Sequence, residues 1–282
     1  MNYRHLYHAG NFADVMKHII LVAIIEQLQQ KATPYCCIDT HAGSGYYDLF
    51  SDSAAKNKEF AGGILKVIKQ DNPPRLIKHY LNCIHAINNR LTGAKFSSLH
   101  YYPGSPLIAQ LMGRPHDSLI ASELHPQEYQ SLRAALSGHP QASVHHMDGF
   151  IGLKAFLPPK ERRGVILIDP PYENPDEFTR LALSLPIALK RFETGIYAIW
   201  YPIKDKLQTK RFHAALRQNI TNSILIVELT IHPDLPQHLN GCGMAIINPP
   251  WQLENQLAEI LPWLWKALTI NNQGGHQLYL LK

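Results

Sequence analysis

Hydrophobic positions along this chain fall into two kinds of run. Short, near-continuous apolar stretches recur at residues 35–40, 118–123, 143–148, 165–169, 195–201, 223–231 and 243–248. Stretches of that length bounded by turn residues predict strands buried on both faces. Helical periodicity marks residues 12–30, 127–136 and 253–268, and a short last strand is expected at 277–281. Asn11 stands where it can cap the first helix, with Asp14 near the positive end. Alternating strands and helices predict a doubly wound α/β sheet. The interval between the first two strands breaks that rhythm, because roughly 75 residues separate them where a crossover usually needs far fewer. Residues 64–70 and 76–89 read as helices interrupted by Asn72-Pro73-Pro74. Residues 48–100 are therefore expected to form a helical insertion, with 1–47 and 101–282 making the sheet domain.

Composition narrows the setting. A chain of 282 residues can bury one large core with room for a lobe. The longest apolar run, Ile19 to Ile25, is far too short to span a bilayer. The polar, aromatic start carries no secretory signal pattern. Cys36, Cys37, Cys83 and Cys242 form no spaced framework, so a reducing cytoplasm is the expected location. Neither His5-x-x-His8 nor His145-His146 sits in a metal-binding pattern, and no metal is expected. The net charge is +5, and residues 54–100 hold all of the excess: eight basic residues from Lys56 to Lys95 face only Glu59 and Asp71. A segment so charged suits a polyanion such as nucleic acid, although a solvated helical surface would look the same by charge alone.

Candidate chemistry sits at the strand ends. The first strand runs into Asp39-Thr40-His41-Ala42-Gly43-Ser44-Gly45. This is similar to the D-x-x-x-G-x-G turn of class I S-adenosylmethionine (SAM) methyltransferases, in which glycines let the backbone approach the ligand. Glu123 ends the second strand, where a carboxylate can accept both ribose hydroxyls, and Asp148-Gly149 ends the third, where one can accept from an adenine amino group. Ser105-Pro106 reads first as a helix start, with Ser as cap and Pro at the first helical position.

Residues 164–172 read GVILIDPPY. The Asp169-Pro170-Pro171-Tyr172 tetrapeptide resembles the catalytic loop of methyltransferases acting on the exocyclic amino group of adenine. That nitrogen is a poor nucleophile because its lone pair is delocalised into the ring. Hydrogen bonds from N6–H to the Asp169 carboxylate and the Pro170 carbonyl would draw the pair out of conjugation. Consecutive prolines have fixed φ and hold that carbonyl rigidly, and Tyr172 offers a ring on which an extruded base can stack. A second candidate, Asn248-Pro249-Pro250-Trp251, also follows an apolar strand. Ligands of open α/β sheets bind beyond the carboxyl ends of parallel strands. In the methyltransferase topology the seventh strand is antiparallel, which would send Asn248 to the opposite edge. Catalysis is therefore assigned to Asp169 and a structural role to Asn248.

Taken with DTHAGSGYY, YYPGSP, SELHP, MDGF and ILIDPPYE, the N-terminal YRHLYHAGNFADVMKH closely resembles the RlmJ family of bacterial 23S rRNA adenine-N6 methyltransferases. The resemblance spans nearly the whole chain. It implies a Rossmann-like class I methyltransferase fold: a seven-stranded, mostly parallel sheet with one antiparallel strand and a small helical insertion. It implies SAM as cofactor, with Lys17 and His18 at its methionine end, His41 and Ser105 in contact, Glu123 on the ribose, and Asp148 with Gly149 on the adenine. It implies Asp169 as acceptor for N6–H and Tyr3 facing the substrate nucleotide. The expected partner is 23S rRNA, reached through the basic insertion, and the expected state is a monomer. A DNA adenine methyltransferase, a nucleic-acid-binding protein on a retired scaffold, and a methyltransferase for a small molecule or a protein glutamine remain as alternatives.

Overall fold

A computed structural model describes residues 5–93, 98–174, 176–235 and 238–281; Tyr3 and Lys95 lie outside them. Its strands are β1 (Cys36–Asp39), β2 (Tyr46–Asp48), β3 (Tyr101–Pro103), β4 (Ser118–Glu123), β5 (Ala142–His146), β6 (Gly164–Ile168), β7 (Ile196–Ile203), β8 (Ile224–Thr230), β9 (Gly241–Ile247) and β10 (Gly275–Leu280). Its helices are α1 (Phe12–Gln29), α2 (Asp52–Asn57), α3 (Glu59–Gly62), α4 (Ile64–Ile68), α5 (Arg75–Thr92), α6 (Ser105–Met112), α7 (Pro126–Ala135), α8 (Gly149–Ala155), α9 (Glu177–Arg191), α10 (Lys206–Asn219) and α11 (Leu253–Leu268).

The main sheet runs β10-β8-β9-β7-β6-β1-β4-β5. Strands β5, β4, β1, β6 and β7 are parallel to their neighbours. Strand β9 lies antiparallel between β7 and β8, as the class I methyltransferase arrangement requires. The seven strands that the family resemblance implies are eight in the main sheet of the described residues, because the short last strand expected at 277–281 forms as β10 and pairs antiparallel with β8 along its length. The reason is burial: Leu225, Ile226 and Val227 of β8 are fully buried, so β8 needs a partner to satisfy its outer backbone groups.

The two faces of the sheet carry separate cores. Val165 and Leu167 of β6 belong to one, Ile166 and Ile168 to the other, the alternation that a strand imposes. Helices α8, α9 and α10 cover the second face, while α1 lies over the first. Asn11 caps α1, its side chain accepting from the backbone N–H of Ala13 and Asp14. The middle of α1 is apolar all round, and Ile19 through Ile25 are buried without exception. A helix of that kind must be enclosed. Helices α5, α6 and α11 enclose it. Leu76, Ile77, Tyr80, Ile84 and Ile87 of α5 share its core, while Arg75, Lys78 and Arg90 stay exposed. Helix α5 thus turns an apolar face to α1 and its cations to solvent, whereas Lys66 donates to the Leu268 and Thr269 carbonyls. The β2–β3 ladder stands at the two ends of residues 48–100.

Asn248 follows antiparallel β9 and lies beside the amino ends of β7 and β8. Its Nδ2 donates to the carbonyls of Glu193 and Gly195 at 2.8 Å each, and its Oδ1 accepts from Asn222 at 3.0 Å. It also holds φ at +55°, which Asn tolerates better than most residues. Asn248→Ala is expected to cost about 1–3 kcal/mol and several degrees of Tm; melting curves check this, and an unchanged Tm would show that these bonds do not hold the turn.

Candidate active site

Asp39 ends β1, Glu123 ends β4, Asp148 follows β5 and Asp169 follows β6. These strands are neighbours in the order β6-β1-β4-β5, so their parallel pairing brings four carboxylates to one edge. The long interval between them does not separate β1 from β4, which pair from Cys36↔Ser118 to Asp39↔Ala121. Glu123, Asp148 and Asp169 line a cavity of about 860 Å³, large enough for a cofactor and part of a substrate, while Asp39 is buried behind Ser105. Lys17, His18, His41, Gly43, Ser105, Gly149, Pro170 and Tyr172 line the same cavity. Every site residue expected from the sequence therefore converges here except Tyr3, which lies outside the described residues.

The glycine turn is tied to Glu123. Gly43, at φ +62°, donates its N–H to Glu123 Oε2 at 2.8 Å, and a side chain on it would meet the Tyr47 hydroxyl. The other oxygen, Oε1, accepts from the His125 N–H at 2.7 Å. Glu123 lines the cavity, and its carboxylate can accept more than these two bonds. Burial raises the Glu123 carboxyl above its ordinary range.

Asp148 caps α8 by accepting from the Phe150 N–H at 2.8 Å, and its Oδ2 takes a 2.7 Å bond from Arg180, whose guanidinium lies 4.0 Å from the Phe150 ring centre. Burial alone would raise the Asp148 carboxyl, but Arg180 and the helix N–H outweigh it and hold it low. Gly149 is a close approach: an added Cβ would stand 2.2 Å from the Thr40 carbonyl and 2.7 Å from His41. Thr40 gives its hydroxyl proton to the Leu167 carbonyl at 3.0 Å, so it accepts from His41 Nδ1 at 2.8 Å. That network assigns the proton to Nδ1 and leaves His41 Nε2 an acceptor. Ser105 does not cap α6. Gly104 holds that position, and the Ser105 hydroxyl instead donates to Asp39 Oδ2 at 2.6 Å, because Asp39 is buried and needs a donor.

Around Asp169 the order is set by α1. Lys17 Nζ reaches Asp169 Oδ2 at 2.5 Å and Asp14 Oδ1 at 2.8 Å, and Asp14 Oδ2 takes His5 Nε2 at 2.8 Å. Burial opposes the charge of both partners. Lys17 nonetheless holds its proton more tightly than usual beside two carboxylates, and His5 with Lys17 keeps Asp14 well below the usual range. His18, the next residue along the cavity wall, accepts or donates at Nδ1 to Tyr102 at 2.8 Å, while its Nε2 is buried without a partner. The Tyr172 backbone is left-handed at φ +52°, its hydroxyl donates to the Trp200 carbonyl at 2.5 Å, and its ring tilts against Phe178 and Trp200.

Asp14, Arg180 and His5 escape a sequence reading of the site. The i,i+3 spacing of Asp14 and Lys17 on one helix is a usable signal. Nothing local points from Arg180 to Asp148. Among the described residues no cluster of His, Cys, Asp or Glu could hold a metal, and no helix is long and apolar enough to cross a membrane.

The buried histidines make the fold acid-sensitive. Burial pushes His18 down to about 3, His41 to about 4 and His213 to about 4. The unfolded chain takes up these protons near pH 6.5, and the folded chain refuses them until far lower. Their contribution is complete above pH 6.5 and is lost as pH falls toward 4, by ~1.4 kcal/mol per pH unit for each net proton. Asp39, raised by burial to about 6, works in the opposite sense, gaining stability as it protonates below that value. Burial also raises the carboxyls of Glu123, Glu177 and Glu228, which act in the same sense as Asp39, so the histidine part is read as a difference: between pH 6.5 and 4.5 the Tm of His18→Gln should lose less, relative to wild type. Parallel profiles for the two proteins would contradict a neutral buried His18.

Comparison with known proteins agrees with this geometry. The family model for ribosomal RNA large subunit methyltransferase D, RlmJ, matches residues 32–281. Ribosomal RNA large subunit methyltransferase J of Escherichia coli is 44% identical over 269 residues, covering 95% of this chain and 94% of the relative. The protein of the same name from Haemophilus influenzae is 43% identical, covering 98% and 96%. A Legionella pneumophila protein of known crystal structure superposes with a TM-score of 0.86 at 36% identity, over 97% of each chain. A family match across most of the chain, two near-full-length relatives and a cavity edged by strand-end acids lead to one conclusion: the chain belongs to the RlmJ family of ribosomal RNA large subunit methyltransferases.

Proposed function

We propose that this protein transfers a methyl group from SAM to N6 of a specific adenine in 23S rRNA. The observation that carries this reading is the position of Asp169-Pro170-Pro171-Tyr172, on the same sheet edge and in the same cavity as Glu123 and Asp148. The residues fit the cofactor. His18 Nε2 is a buried polar atom without a partner among the described residues, in want of a ligand group, and Gly149, which packs against Thr40 and His41, lines the cavity with backbone. In this reading the free lone pairs of Glu123 take the ribose hydroxyls. Asp148, already oriented by Arg180, accepts from the cofactor adenine with Gly149 beneath it. Lys17, His18, His41 and Ser105 hold the methionine end. Bound SAM supplies an electrophilic methyl on its sulfonium.

The chain itself does the positioning. Lys17 occupies Asp169 Oδ2 and fixes the carboxylate plane, leaving Oδ1 to accept from N6–H. The Pro170 carbonyl takes the second N6 proton, and Tyr172, locked through its hydroxyl, offers a ring to the base. Orientation supplies most of the rate. Asp169 need not act as a strong base, since N6 becomes acidic only once methylated and water can take the proton. The basic face of 48–100 and Tyr3 extend the RNA contact.

The test uses 23S rRNA from cells lacking adenine-N6 modification with methyl-labelled SAM. Label in a single N6-methyladenine is expected. Label on duplex DNA instead would replace the rRNA reading, and SAM binding without transfer would favour a retired scaffold.

A further inference from the structure

Past Asp169 the cavity continues beyond the ends of β7 and β8, where the transfer chemistry assigns no residue. Lys204 follows β7 directly, His232 stands just after β8, and His238 lies in the loop that leads to β9; all three line the cavity. The arrangement is built by one buried side chain. Asn240, 3% exposed, accepts from the Leu235 N–H at 3.2 Å and donates to the Leu235 carbonyl at 2.8 Å. Its backbone N–H donates to the Ile203 carbonyl at 3.0 Å, and its carbonyl accepts from Ile231 and His232. The loop that carries His232 and His238 is thereby fastened to the strand end that carries Lys204.

The loop's own acid, Asp234, is paired with Lys206 at 3.0 Å, and Glu59, also on the cavity wall, is engaged by His8 and Asn11. Burial, then His238 and Lys66, hold the His232 imidazole below its ordinary value. Lys204 therefore supplies the cation and the two imidazoles supply ring N–H donors, a set that can hold an anion.

The anion is not part of the cofactor. Strands lie about 4.8 Å apart, so along this edge Lys204 stands about 14 Å from the strand of Glu123, and His232 farther still. Lys204 is one strand from Asp169. An adenine whose N6 meets Asp169 must direct its sugar-phosphate out of the cavity, and these residues line the way out on the side away from the cofactor. We infer that Lys204, His232 and His238 cradle the backbone phosphates of the RNA nucleotides that flank the extruded adenine, at a site distinct from the basic insertion. This rests on the rRNA reading above.

The test compares wild type with Lys204→Ala/His238→Gln, and with His232→Gln. Methyl transfer to unmodified 23S rRNA and binding of an adenine-containing single-stranded RNA oligonucleotide are both followed against salt. The expected result is a KM for RNA raised about tenfold, kcat at saturating RNA within about twofold of wild type, and an unchanged KM for SAM. The salt slope should be shallower by about 0.7 for each phosphate that the variant no longer neutralises. An unchanged KM and slope in folded variants, a defect confined to kcat, or an equal rise in the KM for SAM would overturn the inference. A wild type that transfers no methyl to rRNA, yet binds the oligonucleotide with a slope that the variants lack, would sink the rRNA reading and keep the cradle. Transfer by wild type with unaltered variants would sink the cradle alone.

Discussion

Asp169→Ala is expected to lose methyl transfer to 23S rRNA by on the order of a thousandfold, with the loss in kcat. The side chain contributes no bulk that the fold needs, since Asp169 is half-buried and its partner Lys17 keeps a second carboxylate in Asp14. SAM binding should persist, because Glu123, Asp148 and the glycine turn stand on other strands. Asp169→Asn separates two parts of the effect. It retains an acceptor oxygen for N6–H but forfeits the charge that holds Lys17, so an intermediate rate is expected. Single-turnover transfer with isothermal titration of SAM reads both. Transfer in the Ala variant within tenfold of wild type would remove Asp169 from the mechanism.

Lys17→Met should cost both stability and activity. The ammonium is buried between Asp14 and Asp169, and removing one partner of a buried charge network typically costs about 3–5 kcal/mol because the remaining charge is stranded. The chain should therefore melt well below wild type, and the surviving folded fraction should transfer methyl poorly, since the carboxylate plane of Asp169 is no longer set. Asp14→Asn with Lys17→Met provides the discriminating comparison. It removes the stranded carboxylate as well as the cation, so Tm should recover in part while transfer stays low. Recovery of transfer together with Tm would show that Lys17 acts on folding alone, and an unchanged Tm in the single variant would show that the ion pair is not buried in solution.

Much of this protein is local in origin. Apolar runs of strand length, each ended by a turn residue, determine β1, β4, β6, β7, β8 and β9, because burial on both faces writes a continuous signal into a few consecutive residues; β5, expected to be buried likewise, is an edge strand without a buried residue. An acid at the end of such a run is equally local, which is why Asp39, Glu123, Asp148 and Asp169 are legible as strand-end carboxylates without any knowledge of where they converge. The antiparallel direction of β9 follows from topology and separates Asn248 from Asp169. Tertiary structure decides the rest. The last strand is expected from the sequence, but its half-exposed residues do not say where it pairs; β10 joins the sheet edge because the buried β8 needs a partner. Helices α9 and α10 lie outside the segments that periodicity marks, and Pro186 inside α9 interrupts its signal. Ser105 reads as a cap until Asp39, 66 residues away, claims its hydroxyl. Lys17 meets Asp169 across 152 residues and Arg180 meets Asp148 across 32. Periodicity and turn chemistry act over a few neighbours, whereas the partner of a buried charge is chosen by whichever group the finished packing places within reach of it.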